Sequence, residues 1–196
     1  MYEVQIIGTG SCVPNQIITN ADLANFVETN DEWISSRTGI KERRISAGEN
    51  TSALASGAAK MALEDAGISP QEIDLIIVAT MTPDYFMPAT ACIVQKEIEA
   101  FNATCFDLSG ACTGFIYALN TGVQFIRTGQ CKTALIIGGD TYSKILDWSD
   151  RSTCVLFGDG AGAVVLQTSD KKGIISMYTG SDGRGDDLLT CPAVGL

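Results

Sequence analysis

Two uninterrupted apolar runs, 74–80 (DLIIVAT) and 133–138 (TALIIG), are short, rich in branched residues and free of polar alternation, so both faces of each must be buried. A parallel sheet with helices packed on either side meets that demand. Amphipathic segments lie between the runs at the required spacing. Thr51 or Ser52 opens a helix with an apolar face of Leu54, Ala58, Met61 and Leu63, and Gly67 followed by Pro70 closes it. A loop holding Pro83 and Pro88 leads to a helix over 90–100. A strand over 103–108 is followed by a helix from about Cys112 to Thr128, whose Phe115, Ile116, Leu119, Val123 and Ile126 predict a central helix buried between layers. Val4 to Ile7 reads as a strand ending at Gly8-Thr9-Gly10, and Asn20 as the cap of a helix through Leu23, Phe26 and Val27. The stretch 30–44, NDEWISSRTGIKERR, is too charged for a core element and reads as exposed. In the last third, 154–157, 160–167 and 173–178 are strand-like with only turns between them. The predicted fold class is α/β, a mostly parallel sheet ending in antiparallel strands, in one unit without a linker. The final residues, 190–196, contain no closing element and are expected to lack order.

Composition narrows the chemistry. With 45% apolar and 18% charged residues, a chain of 196 residues can bury a full core. Thirteen basic against 23 acidic residues leave a net charge of −10, which repels a phosphate backbone; nucleic acid is not an expected partner. No apolar stretch approaches the roughly 18 residues of a membrane span, and the N-terminus has no basic segment before its apolar run, so a cytoplasmic protein without a membrane partner is expected. There is no histidine, which removes every imidazole base and His-ligated metal from these residues. Seven scattered cysteines without a C-x-x-C indicate neither a disulfide framework nor a metal ribbon, and most read as small buried hydrophobes.

Two glycine patterns, at 8–13 and at 158–163, invite a dinucleotide reading. The first lacks its third glycine and runs into Pro14, and the second precedes a strand pattern instead of a helix, so tight turns and close packing explain both and no bound cofactor is expected. A sharper signal is Asp107-Leu-Ser-Gly-Ala-Cys-Thr-Gly-Phe115. A buried strand runs through a small-residue turn into a long helix, placing the Cys112 thiol where unpaired N–H groups and the helix dipole favour thiolate. Gly110 and Gly114 leave room for a substrate, and the Cys112 amide can donate to an oxyanion on a thioester carbonyl.

Nearly end to end, the chain resembles the N-terminal half of the β-ketoacyl-acyl-carrier-protein synthase III family. The resemblance rests on IIGTGS at 6–11, TNADL at 19–23, DEWI at 31–34, RTGI at 37–40, GACTGF at 110–115 and FGDGAGA at 157–163. It implies a thiolase-like fold, layered α-β-α-β-α in the full enzyme, of which residues 1–196 are one half with the C-terminal half absent. It also implies a homodimer that takes an acyl group from acyl-CoA onto Cys112 and condenses it with malonyl-acyl carrier protein, initiating fatty acid synthesis. Trp33 and Arg151 match residues that flank the adenine of coenzyme A, with Thr29 and Arg37 nearby. Met87 matches a position that crosses the dimer to line the partner's acyl pocket. The family's carbanion-stabilising His and Asn belong to its C-terminal half. That leaves one alternative outside enzymology, a half-fold acting as a dimerising or regulatory partner. A second acyltransferase of the superfamily, hydroxymethylglutaryl-coenzyme A synthase, would need a Glu where Met81 stands.

Overall fold

The computed structural model describes residues 2–192. The two apolar runs form β4 (Leu75–Ala79) and β6 (Thr133–Thr141), side by side and parallel, with β5 (Thr104–Leu108) parallel on the far side of β4. Beyond β6 lies β7 (Asp159–Ser169), antiparallel to it, and beyond that β1 (Glu3–Cys12), antiparallel to β7. The order is therefore β1-β7-β6-β4-β5. Four strands share a direction and β7 opposes them, as the antiparallel ending of the sequence pattern predicts. Three details are corrected. Cys154 to Phe157 is a turn, Gly173 to Tyr178 forms no strand, and β1 does not stop at its glycines. The expectation for 190–196 falls mostly outside the described residues.

Gly8 and Gly10 lie within β1 because a helix crosses directly over them. A Cβ at Gly8 would sit 2.4 Å from the Ala62 carbonyl oxygen, and one at Gly10 would sit 2.3 Å from that of Ala58. The helix above is α3 (Thr51–Ala66), closed by Gly67 at φ 65° as predicted. Glycine on the strand and alanine on the helix together permit this contact. The predicted apolar face holds at Leu54, Ala58 and Leu63, while Met61 is exposed.

Alternation along β4 and β6 divides the core in two, since successive strand residues point to opposite faces. Ile76, Val78, Leu135 and Ile137 face α3 and α4 (Thr90–Ile98), whereas Leu75, Ile77 and Ile136 face α5 (Gly114–Arg127). Helix α5 departs from expectation. Ala118, Val123 and Ile126 are buried against the sheet, but Ile116 is exposed and Phe115 and Leu119 are only half-buried. Among the described residues it packs on the sheet, and Tyr117 and Arg127 bond to the segment at 174–181; the burial between two layers expected of it is not seen there.

The charged stretch 30–44 is also not a simple exposed segment. Asn30 caps α2 (Asp31–Thr38), its side chain accepting from the Trp33 N–H at 2.8 Å, and Gly39 ends the helix at φ 74°. Ile34 is fully buried, and β3 (Glu42–Arg44) pairs with β2 (Ile17–Thr19). The one-turn helix α1 (Asn20–Leu23) is capped by Thr19, with the Asp22 side chain returning the bond, so Asn20 is its first residue and not its cap. Phe26 lies beyond it and is exposed. A third, small core of Leu23, Ile34, Cys154 and Val155 sits beneath this region.

Candidate active site

The end of β5 is tied to the start of α4 through Asp107, whose carboxylate accepts from the Thr90 and Ala91 N–H groups at 2.6 and 2.7 Å. After Leu108 the chain must reverse into α5 within a few residues. Gly110 allows this, since a Cβ there would lie 2.9 Å from both the Gly114 Cα and the Tyr117 ring. Ala111 follows at φ 44°, a left-handed conformation that costs an L-residue about 1–2 kcal/mol. Cys112 occupies a single 3-10 turn (Ala111–Thr113) before α5, and no side chain caps that helix. The thiol is thus one turn earlier than a helix start, exposed, and beside uncapped backbone donors.

Cys112 opens on a cleft of about 540 Å³ at the C-terminal ends of the parallel strands, lined by Ala79, Ala111, Phe115, Gly139 and Asp140 among others. The sequence pattern alone does not single out Asp140; its one local signal is its place directly after the apolar run IIGG. A single oxygen, Oδ1, accepts from Thr80 Oγ1 (2.9 Å), the Met81 N–H (2.7 Å), and the N–H and Oγ1 of Thr82 (3.1 and 2.9 Å). This carboxylate holds the turn after β4, and Ser109 Oγ donates to Met81 Sδ at 3.2 Å from the Cys112 side. Tyr142 stacks on Phe157 at 4.9 Å, its phenol pushed up by burial and then by Asp140. Met87 lies outside this cleft and is 83% exposed in the single chain.

A second group forms around Trp33 on α2. The Arg37 guanidinium lies 4.4 Å from the indole centroid and that of Arg151 5.0 Å. Arg151 Nη1 donates to the Glu28 carbonyl at 3.0 Å and Arg37 Nη1 to that of Trp33 at 3.4 Å. Beside them the Thr29 hydroxyl is buried and has no partner among the described residues, an orphan that a ligand could satisfy. The structure brings Trp33, Arg37 and Arg151 together and sets Thr29 at the adjoining turn, while Cys112 belongs to the separate cleft.

The remaining thiols are less uniform than expected. Cys92 and Cys191 are exposed like Cys112, Cys12 and Cys105 are half-buried, and Cys131 and Cys154 are buried. Burial pushes Cys105 up to about 12 and Cys131 up to about 11, and raises Cys154 as well. Exposure therefore separates Cys112 from the buried thiols but not from Cys92 or Cys191. Among the described residues no helix is long and apolar enough to cross a membrane.

Residues 106–183 match the family model for 3-oxoacyl-[acyl-carrier-protein] synthase III. The chain is 63% identical over 196 residues, all of its length and 60% of the relative's, to the β-ketoacyl-[acyl-carrier-protein] synthase III of Clostridium acetobutylicum. It is 61% identical over 194 residues, again 60% of the relative, to that of Clostridium kluyveri. A solved 3-oxoacyl-(acyl carrier protein) synthase III from Pseudomonas aeruginosa superposes with a TM-score of 0.93 at 43% identity, over 98% of this chain and 60% of that one. The chain spans about 60% of the length of the curated relatives it matches. Its fold is α/β and thiolase-like, with the mixed sheet described above.

Proposed function

We propose that the chain, which is similar over its whole length to β-ketoacyl-[acyl-carrier-protein] synthase III, carries the acyl-accepting half-reaction of an initiating condensing enzyme. The observation that carries this reading is the Cys112 turn: an exposed thiol held by a strained Ala111, facing a cleft at the strand ends. The Cys112 thiolate attacks the carbonyl carbon of acyl-CoA, backbone N–H groups at the start of α5 receive the oxyanion, and the carbon–sulfur bond to coenzyme A breaks. The products are an acyl thioester on Cys112 and the coenzyme A thiol, which takes up the proton lost from Cys112. Trp33 and Arg151 hold the adenine, with Arg37 offering phosphate a forked donor and Thr29 a hydroxyl. No bound cofactor is required.

Condensation is the second half-reaction: malonyl-acyl carrier protein loses carbon dioxide and its carbanion attacks the acyl thioester. The resemblance assigns stabilisation of that carbanion to a His and an Asn outside residues 1–196, and this chain contains no histidine. A cytoplasmic homodimer, with Met87 reaching the partner's acyl pocket, completes the proposal; the exposed 85–87 loop is available for such a contact. Met81 in place of an acid weighs against hydroxymethylglutaryl-coenzyme A synthase chemistry. Incubation with acetyl-CoA followed by intact-mass measurement and peptide mapping is expected to give one acetyl adduct, on Cys112. Cys112→Ser should abolish it, a loss of roughly a thousandfold or more in transfer rate, with the melting curve retained. An adduct on Cys92 or Cys191 instead, or none, removes the reading in favour of a non-catalytic half-fold.

A further inference from the structure

Beneath the Trp33 platform lies a buried cation that acyl transfer does not use. Arg43 is 6% exposed and forms no ion pair among the described residues. Its donors go to neutral acceptors: Nη1 to the Ile18 carbonyl at 3.1 Å, and Nη2 to Asn20 Oδ1 at 2.8 Å and the Val155 carbonyl at 3.2 Å. Its Nε has no partner among the described residues, and burial holds its pKa below the ordinary arginine value. A cation desolvated without a counter-charge is costly, and an apolar side chain would fill the same space more cheaply. Arg43 therefore needs a reason beyond filling that space.

Asn20, 1% exposed, extends the connection. Its Nδ2 donates to Asp31 Oδ1 at 2.8 Å and to the Ile40 carbonyl at 2.7 Å, so both ends of the segment bearing Trp33 and Arg37 are held by one amide. Asp31 is the first residue of α2, two before Trp33. Val155 closes the turn that starts at Asp150 and carries Arg151, with the Cys154 N–H bonded back to the Asp150 carbonyl. The path from Val155 through Arg43 and Asn20 to Asp31 joins the two walls of the platform. In sequence those walls are more than 100 residues apart.

We propose that Arg43 and Asn20 are positioning residues that set the spacing of Trp33 against Arg151, and thereby determine how tightly the nucleotide end of an acyl-CoA is held. This rests on reading the platform as the coenzyme A site. A lysine at 43 keeps the charge but cannot span three acceptors with a planar fork. A serine at 20 loses the donors to Asp31 and Ile40.

The test is steady-state acyl transfer by the full-length protein with two substrates, acetyl-CoA and acetyl-N-acetylcysteamine, a thioester without the nucleotide. For Arg43→Lys and Asn20→Ser, KM for acetyl-CoA should rise roughly tenfold at constant kcat, while kcat/KM for the short thioester stays within about twofold of the parent. Equal losses on both substrates would mark a general structural role and overturn the proposal, as would an unchanged KM for acetyl-CoA. Failure of both variants to fold would overturn it as well, since the residues would then serve stability alone. Trp33→Ala tests the underlying reading separately. If it leaves KM for acetyl-CoA unchanged, the platform does not bind the nucleotide, whatever Arg43→Lys does.

Discussion

The Cys112 cleft and the Trp33 platform are built by opposite means. The cleft is floored mostly by glycine, alanine and valine of the strands, with Thr9 and Asp140 the polar exceptions, and α3 is pressed so closely on β1 that Gly8 and Gly10 have no room for a Cβ. The platform rests on a small apolar core threaded by the buried polar pair Arg43 and Asn20, which reaches the exposed Asp31 at the start of α2. In the first region shape is set by steric exclusion, and in the second by hydrogen-bond donors and acceptors that must find one another. Steric regions tolerate little added volume. Polar ones tolerate volume but not the loss of a donor or an acceptor.

Added volume gives the largest contrast. Gly10→Ala should destabilise the fold by about 3 kcal/mol, because the new Cβ meets backbone atoms that cannot move independently of α3. Gly39→Ala, at the end of α2, has nothing within 4 Å of the new Cβ and pays only for its φ of 74°, about 1 kcal/mol. Urea melts of the two variants measure the difference, and equal losses would break the distinction between the regions.

A smaller effect comes from removing a hydroxyl on the platform. Thr29→Val deletes an oxygen that has no partner among the described residues, so its melting temperature should be unchanged or slightly higher. Affinity for coenzyme A, read by isothermal titration calorimetry, should nevertheless fall roughly threefold to tenfold if that hydroxyl meets the ligand. A drop in stability without a drop in affinity would return Thr29 to a structural role.

The smallest effect is a pH dependence set by buried thiols, the two largest shifts lying in the sheet region. Cys105 and Cys131 are raised in the folded state to about 12 and about 11 from an ordinary 9.0, chiefly by burial. A raised thiol means that the folded protein holds its proton more tightly than the unfolded chain does. The associated stability is fully present below pH 9 and is lost as pH rises from there towards 11 and 12. Denaturant midpoints should therefore decline over that interval, and Cys131→Ala should flatten part of the decline. A midpoint independent of pH across the interval would show that these thiols titrate alike in both states.

What the sequence determined by itself is the part governed by periodicity and backbone punctuation. The runs at 74–80 and 133–138, the helix ended by Gly67, the helix expected over 90–100 and found over Thr90–Ile98, and the small-residue turn between β5 and the helix that follows it come from local patterns whose physical cause is local. Only the tertiary structure could decide the rest. Gly8 and Gly10 look like a turn until α3 is laid across them. The segment 30–44 looks like solvent-exposed charge until Ile34 and Arg43 are seen buried, because a charged residue goes inside only when acceptors from elsewhere wait for it. Those acceptors come from Ile18, Asn20 and Val155. The same reason explains Asp140, whose four donors all lie at 80–82. A hydrogen bond between residues distant in sequence leaves no period to read, so the polar half of the site becomes visible only once the sheet has brought its partners together.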